Sequence, residues 1–332
     1  MSRRLFLPLL ALLAVALIAL PFSGASNYVL RLATIAFMYV ALASSWNVIG
    51  GFTGYPSFAT AAFFGLGAYG GAVLHVQASL PMPLAWLAGG AIAGGFALVV
   101  GPAILRLRGH YFAVASLVVA AVLREAVNSM TTITGGGMGL NLPGAALGGV
   151  DAQARIYYAA MGATAAGTVL SSVLIMRSRL GWAMRCIEQN EDAATVLGVN
   201  TLAAKVAALV VSAIAAGTVG ALYASWIGYI DPTDTFDDLL SVKPIVMTFI
   251  GGVGTIAGPV AGAVIFLALE ELVWRNVLSF HAGILGIIIV CLLVFMPGGL
   301  RSLGRAGAWL RARRMTGSVE RPLPVATPAI QS

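Results

Sequence analysis

Ten apolar runs follow one another along this chain, and each of the nine longer ones has the length a helix needs to cross a bilayer. By number they are 5–22, 28–50, 57–77, 84–105, 110–130, 156–176, 203–228, 242–252, 257–274 and 281–297. About 20 apolar residues span a hydrocarbon core roughly 30 Å thick. Between the runs too little polar chain remains for a separate soluble domain. Only 9% of the residues are charged while 59% are hydrophobic, against roughly 25% charged in a soluble protein. The bilayer is therefore the expected solvent, and an all-α integral membrane protein of eight to ten spans the expected fold class. Residues 1–300 form one transmembrane domain in this reading. Residues 301–332 form a basic, partly disordered tail whose arginines lie beside the last run, placed to meet anionic lipid.

Basic residues set the orientation, because short cytoplasmic loops are enriched in them. With ten crossings and an inside N-terminus, fourteen cations fall inside: Arg3, Arg4, Arg106, Arg108, Arg177, Arg179, Arg185, Lys205, Arg301, Arg305, Arg311, Arg313, Arg314 and Arg321. Four fall outside, namely Arg31, Arg155, Lys243 and Arg275. The expected outer loop 229–242 is acidic, with Asp231, Asp234, Asp237 and Asp238. Both termini are thus expected in the cytoplasm. The net charge of +7 follows from this topology, and a nucleic-acid partner is not expected. The first run, after Arg3 and Arg4 and before Ser23-Gly24-Ala25, also has the form of a signal peptide; an uncleaved first helix leaves the later topology the same. The 242–252 run is too short for an ordinary span and reads as a broken or re-entrant helix.

Two glycine clusters interrupt apolar stretches: Gly50–Ser57 (including Gly54) and Gly251–Pro259 (including Gly252, Gly254 and Gly258). Broken backbone at membrane depth is tolerated only where protein or water covers it, and such breaks point to a substrate path. Tight turns between spans explain the clusters equally well. A third cluster, Thr134-Gly135-Gly136-Gly137-Met138-Gly139, lies in the expected extracytoplasmic loop 131–155, facing a partner, lining the pathway entrance or serving as a connector.

The polar interlude 178–202 differs from every other linker. Ala183, Ile187, Ala194 and Leu197 fall on one helical face, with Arg185, Glu188, Gln189, Asp192 and Thr195 on the other. Gly198 supplies a helix stop. A short two-faced helix outside the membrane suits docking into a groove on a soluble partner, or lying on lipid.

The run Glu191-Asp-Ala-Ala-Thr-Val-Leu-Gly198 resembles the E-x-A-A-x-x-x-G coupling motif of ABC importer membrane subunits. The longer stretch from Ser178 to Asn200 is similar to the M-type permease of branched-chain amino acid importers. Gly54-Tyr-Pro-Ser-Phe-Ala-Thr-Ala-Ala-Phe-Phe, Gly109-His-Tyr-Phe-Ala113, the Thr134–Gly139 cluster, Gly251–Ala263 and Pro297-Gly-Gly-Leu300 resemble further family segments in the family's order. The resemblance implies a two-permease core with a homologous second permease, two cytoplasmic ATPase subunits and a periplasmic substrate-binding protein, set in the bacterial inner membrane. It implies coupling through Arg185, Glu188, Glu191, Ala194, Gly198 and Asn200. A translocation path is implied near Gly54, Ser57, Thr60, Phe63, Tyr111, Thr134, Gly135, Gly136, Gly251, Gly252, Gly254, Gly258 and Pro259. The family often has Gly-His or Gly-Gln where this chain has Ala59-Thr60. Urea and short-amide importers have very similar permeases, so they stand as a second substrate class beside branched-chain amino acids.

The chain carries no G-x-x-x-x-G-K-[S/T] loop, and its only lysines are Lys205 and Lys243, so ATP and Mg are expected on partner subunits and no cofactor on this chain. His75, His110 and His281 are scattered and read as structural, and no metal or catalytic set is evident. Arg124, Glu125, Glu270 and Glu271 are expected near outer helix ends, paired or reaching interfacial water, with contact to a substrate carboxylate as the alternative for Arg124. An ion-coupled transporter would need an acidic residue or histidine at mid-membrane, and none is read there. A membrane enzyme would need convergent catalytic groups.

Overall fold

A computed structural model describes residues 26–142 and 149–276. The runs 5–22 and 281–297, His281 and the basic tail lie outside them. Helix α1 (Asn27–Trp46) continues into a π-helical turn (Asn47–Gly51), and α2 (Thr60–Ala78), α3 (Met82–Ile104) and α4 (His110–Ser129) follow. A one-turn helix α5 (Thr131–Thr134) leads through a 3₁₀ turn (Gly136–Met138) to β1 (Leu140–Asn141). Next come α6 (Val150–Arg177), α7 (Arg179–Gln189), α8 (Glu191–Val196), α9 (Thr201–Ile227), β2 (Tyr229–Ile230), α10 (Pro232–Thr235), α11 (Leu239–Gly251) and α12 (Ala257–Asn276). Among the described residues, five helices are long and apolar enough to cross a membrane: Asn27–Gly51, α3, α4, Asp151–Arg177 and α9. Among the described residues the fold is helical apart from one antiparallel ribbon, in which Leu140 pairs with Ile230 and Asn141 with Tyr229. That ribbon ties the 131–155 segment to the end of α9.

Helix α9 is the axis of the bundle, packed on α2, α3, α1 and α6. Small residues make the close approaches: a Cβ on Gly67 would collide with the Gly217 carbonyl, and one on Gly89 with that of Gly67. Without a hydrophobic drive between helices in lipid, such contact is what association requires. A second unit, the α11–α12 hairpin, packs on α1 and closes on itself through Gly251, Gly258 and Gly262. The core is continuous, running from Leu42 and Ile49 through Phe64 and Leu209 to Phe112 and Met184.

The two expected breaks are real and they meet. Asn47 in the π turn accepts a hydrogen bond from the Gly254 amide (2.9 Å) and donates to the Thr255 carbonyl (2.9 Å). Its side chain thereby ties the end of α1 to the turn between α11 and α12. Gly252 (φ 115°) makes that turn in a conformation that side-chain-bearing residues rarely adopt. From Phe52 the chain turns back into the bundle before α2 begins. Phe58 N–H donates to Ser116 Oγ (2.8 Å), six residues and so roughly 9 Å into α4. Ser57 Oγ accepts from Ala59 N–H (3.2 Å), and Ser241 Oγ accepts from Ala61 N–H (2.9 Å) while donating to the Phe58 carbonyl (2.7 Å). Three buried serines therefore supply the partners that broken backbone needs inside a membrane protein.

The start of α11 is thus drawn in beside the start of α2. The segment 229–242, expected as an outer loop, folds inward: Phe236 is buried, packs on Gly65 and stacks on Tyr69. Helix α11 is a half-length helix, in line with the broken or re-entrant form expected of the 242–252 run.

Candidate functional site: the polar interlude and its clamp

The interlude forms two helices rather than one. Ser178 caps α7 by accepting from Gly181 N–H (3.4 Å), Asn190 caps α8 from Ala193 N–H (3.0 Å), and Asn200 caps α9 from Ala203 N–H (3.0 Å). Asn190 is extended (φ −164°, ψ 110°), so the helical phase resets there. The expected stripe changes accordingly. Ile187 and Ala194 are buried, Met184 joins them, and Leu197 is 69% exposed. Gly198 ends α8 with φ 81°, the left-handed stop its position called for.

Glu191 does not point away from the fold. Its carboxylate accepts from Lys205 Nζ (2.7 Å) and, at very short range, from the Tyr55 hydroxyl. Lys205, with its side chain 3% exposed, also donates to Tyr55 Oη (3.1 Å) and the Leu105 carbonyl (3.1 Å), and lies 4.3 Å from the Tyr55 ring centroid. A buried ammonium needs an anion and full hydrogen bonding, and here α8, the 52–59 segment, the end of α3 and the start of α9 supply them together. Burial pushes the Glu191 carboxyl up, but the bonds from Lys205 and Tyr55 and the charges of Lys205 and Arg108 outweigh it and hold it below the usual range. Burial, then the bond to Glu191, raises the Tyr55 phenol well above its ordinary range. At the rim Arg108 pairs with Asp192 (2.9 Å) with both side chains largely exposed, a contact of small energetic value.

What remains outward on α7 and α8 is apolar and charged. Trp182, Val196 and Leu197 are exposed, as are Arg185, Glu188, Asp192 and Thr195. A Cβ on Gly54 would meet Glu188 at van der Waals distance, so the first break lies beside the interlude.

The other implied residues divide by place. Ser57, Thr60 and Phe63 are buried at the start of α2, while Gly251, Gly252, Gly254, Gly258 and Pro259 form the hairpin tip. Asn47 holds the hairpin tip, and Ser241, at the other end of α11, holds the start of α2. Thr134 is buried, its hydroxyl bound to the Val127 and Met130 carbonyls (2.6 and 2.8 Å). With Gly135 and Gly136 it makes a turn at the opposite end of α4 from Tyr111, which is 78% exposed. His75 bonds the Leu80 carbonyl (2.7 Å), the structural role expected of it. Arg124 and Glu125 are exposed on α4.

Lys243, expected among the outer cations, is part-buried. It pairs with Glu270 (2.9 Å) and sits 5.6 Å from the Tyr39 ring centroid. Tyr39 is twelve residues, roughly 18 Å, along α1. Glu270 is thirteen residues, roughly 20 Å, along α12. Glu270 is thus paired, as expected of it, and the next residue, Glu271, accepts from Tyr28 at the start of α1.

Residues 28–296 match a family model described as branched-chain amino acid transport system / permease component. The chain belongs to that family. It is 29% identical to the high-affinity branched-chain amino acid transport system permease protein LivM of Salmonella typhimurium, over 95% of this chain and 79% of that protein. The Escherichia coli LivM is also 29% identical, over 92% and 76% of the two chains. The permease protein LivH of Salmonella typhimurium matches a shorter stretch, 28% identical over 40% of this chain and 42% of LivH. No solved structure matches the chain. Membership makes this a multi-span membrane permease and a transport subunit.

Proposed function

We propose that this chain is the M-type permease of an ABC importer for branched-chain amino acids, paired with a LivH-like second permease. Two cytoplasmic ATPase subunits, which bind the ATP and Mg, grip α7 and α8, and a periplasmic binding protein delivers substrate from the other side. The subunit sits in the bacterial inner membrane with both termini in the cytoplasm. The observation that carries this reading is the clamp on Glu191. A helix pair pinned by Lys205 and Tyr55 to α9, α3 and the 52–59 break passes a push to those elements, because a packed interface has few alternative arrangements. Trp182, Val196 and Leu197, exposed beside it, offer the apolar contact an ATPase groove takes. The names of the relatives matched over most of the chain favour branched-chain amino acids over urea or short amides.

The test is leucine uptake by the reconstituted four-subunit core with its binding protein. Uptake is expected to require ATP and to fall at least tenfold in Val196→Asp/Leu197→Asp, with the two permeases still assembled. Leucine uptake without the ATPase subunits, or full coupling in the double variant, would sink the reading.

A further inference from the structure

A cavity of about 410 Å³ lies between α1, α9, α11 and α12, at the end of the bundle remote from α7 and α8. Its volume is in the range of small-molecule sites. Four charged side chains line it, two of each sign: Arg31, Lys243, Glu270 and Glu271. Arg31 is exposed at the mouth, and Lys243 pairs with Glu270 further along the helices. Glu271 accepts from the Tyr28 hydroxyl (2.5 Å), which fixes its carboxylate at the α1–α12 edge. Between these groups the wall is apolar, made by Ile35, Met38, Trp226 and Leu267 among others.

The geometry points to a transit site for a zwitterionic α-amino acid with an aliphatic side chain. This rests on the permease reading and places the cargo within this chain's own helices. The argument is one of charge balance. A site lined by two cations and two anions is neutral, and it suits a neutral ligand that carries both signs. Arg31 and Lys243 receive the α-carboxylate, Glu270 and Glu271 receive the α-ammonium, and Ile35, Met38 and Leu267 take the side chain. A lone anion or cation would leave one pair of wall charges uncompensated, which is costly where those charges are partly buried. An uncharged amide would use neither pair. The closed Lys243–Glu270 pair keeps both groups compensated between ligands, so the site neither needs a resident ion nor holds its cargo irreversibly.

Leucine uptake into proteoliposomes tests the assignment, using the intact transporter, ATP and saturating leucine-loaded binding protein. Three variants are compared with the parent: Arg31→Gln, Glu271→Gln and the double Lys243→Met/Glu270→Met. Each is expected to co-purify with the partner subunits and to lose at least tenfold in uptake. The double variant separates binding from architecture, because apolar side chains of similar volume commonly replace a buried ion pair without loss of stability. If it assembles and transports normally, the pair is only structural and the assignment is overturned. If it does not assemble, the two rim variants decide, and a fall of less than tenfold in either overturns the assignment. A parent transporter that imports no amino acid at all defeats the permease reading itself, a result distinct from active variants beside an active parent.

Discussion

At the scale of single residues the cytoplasmic-type interlude is decided by two side chains its motif does not contain. Glu191 belongs to the motif, but Tyr55 and Lys205 make it a clamp. Lys205 was legible as an anomaly, being one of two lysines and placed in the first turns of an apolar helix. Counting it only as a topology marker hides the anion that a buried ammonium must have. Tyr55, 136 positions from Glu191, carries no local sign of that role. Breaking the pair from one side is expected to cost about 3 kcal/mol, the lower end for a buried pair, because Glu191 keeps a partly solvated edge. Thermal unfolding of the purified permease should therefore show Glu191→Gln and Lys205→Met each strongly destabilised, and the double variant less so than their sum. Additive losses would show that the two side chains do not act as a unit.

The same carboxylate sets a pH dependence. Glu191 titrates below its ordinary value of 4.5 in the fold, so the unfolded chain takes up its proton first as pH falls. Its stabilisation is complete above that ordinary value and is lost as pH drops through the lower folded value. Stability measured downward from neutrality should stay level and then fall, and Glu191→Gln should remove its share of that acid slope. An unchanged slope in the variant would place the titration elsewhere.

At the scale of elements the apolar runs were readable because a span must be apolar towards lipid as well as towards its neighbours: 28–50, 84–105, 110–130 and 203–228 correspond to helices within a few residues, and 156–176 falls inside α6, which begins at Val150. The 229–242 segment was not. Its aspartates mark an acidic segment, and Asp234 and Asp238 are exposed, but the spacing does not show that Asp231 caps α10 through the Thr233 and Asp234 amides (2.8 and 3.0 Å) or that Phe236 packs on α2. That inward fold buries Ser241 and part-buries Lys243, which residue type and spacing alone do not encode. The glycine clusters were visible, but their meeting depends on Asn47, a single amide 207 residues from Gly254. Glycine pairing between α2, α3 and α9 gives a prediction at this scale. Gly67→Val places a branched side chain on the Gly217 backbone, where no rotamer relieves the collision. Overpacking of this kind costs about 1–3 kcal/mol or more, so lower yield of folded permease and reduced thermal stability are expected. Gly95, whose surroundings are open, is the control: Gly95→Ala should match the parent in both.

At the scale of the molecule the clamp and the mixed-charge cavity stand at opposite ends; α9 reaches both, and α1 runs from the cavity to the break that leads into the clamp. Helix α1 lines the cavity with Arg31 and Met38 and ends at Asn47, which holds the tip of the α11–α12 hairpin. That hairpin brings Lys243 and Glu270 to the cavity, and α9 runs from Lys205 in the clamp to Trp226 at the cavity wall. A push on α7 and α8 therefore has a mechanical route to the cavity through packed helices rather than through a loop. Asn47 is the joint where that route passes from α1 to the hairpin, so it is the place to interrupt it. Asn47→Ala removes both hydrogen bonds to the 254–255 turn without touching either end. In the reconstituted importer it is expected to leave ATP hydrolysis running while leucine delivered per ATP falls several-fold. Asn47→Asp, which keeps the acceptor for Gly254 and loses the donor to Thr255, should fall between the two. Equal leucine per ATP in Asn47→Ala and the parent would mean that the hairpin does not carry the stroke.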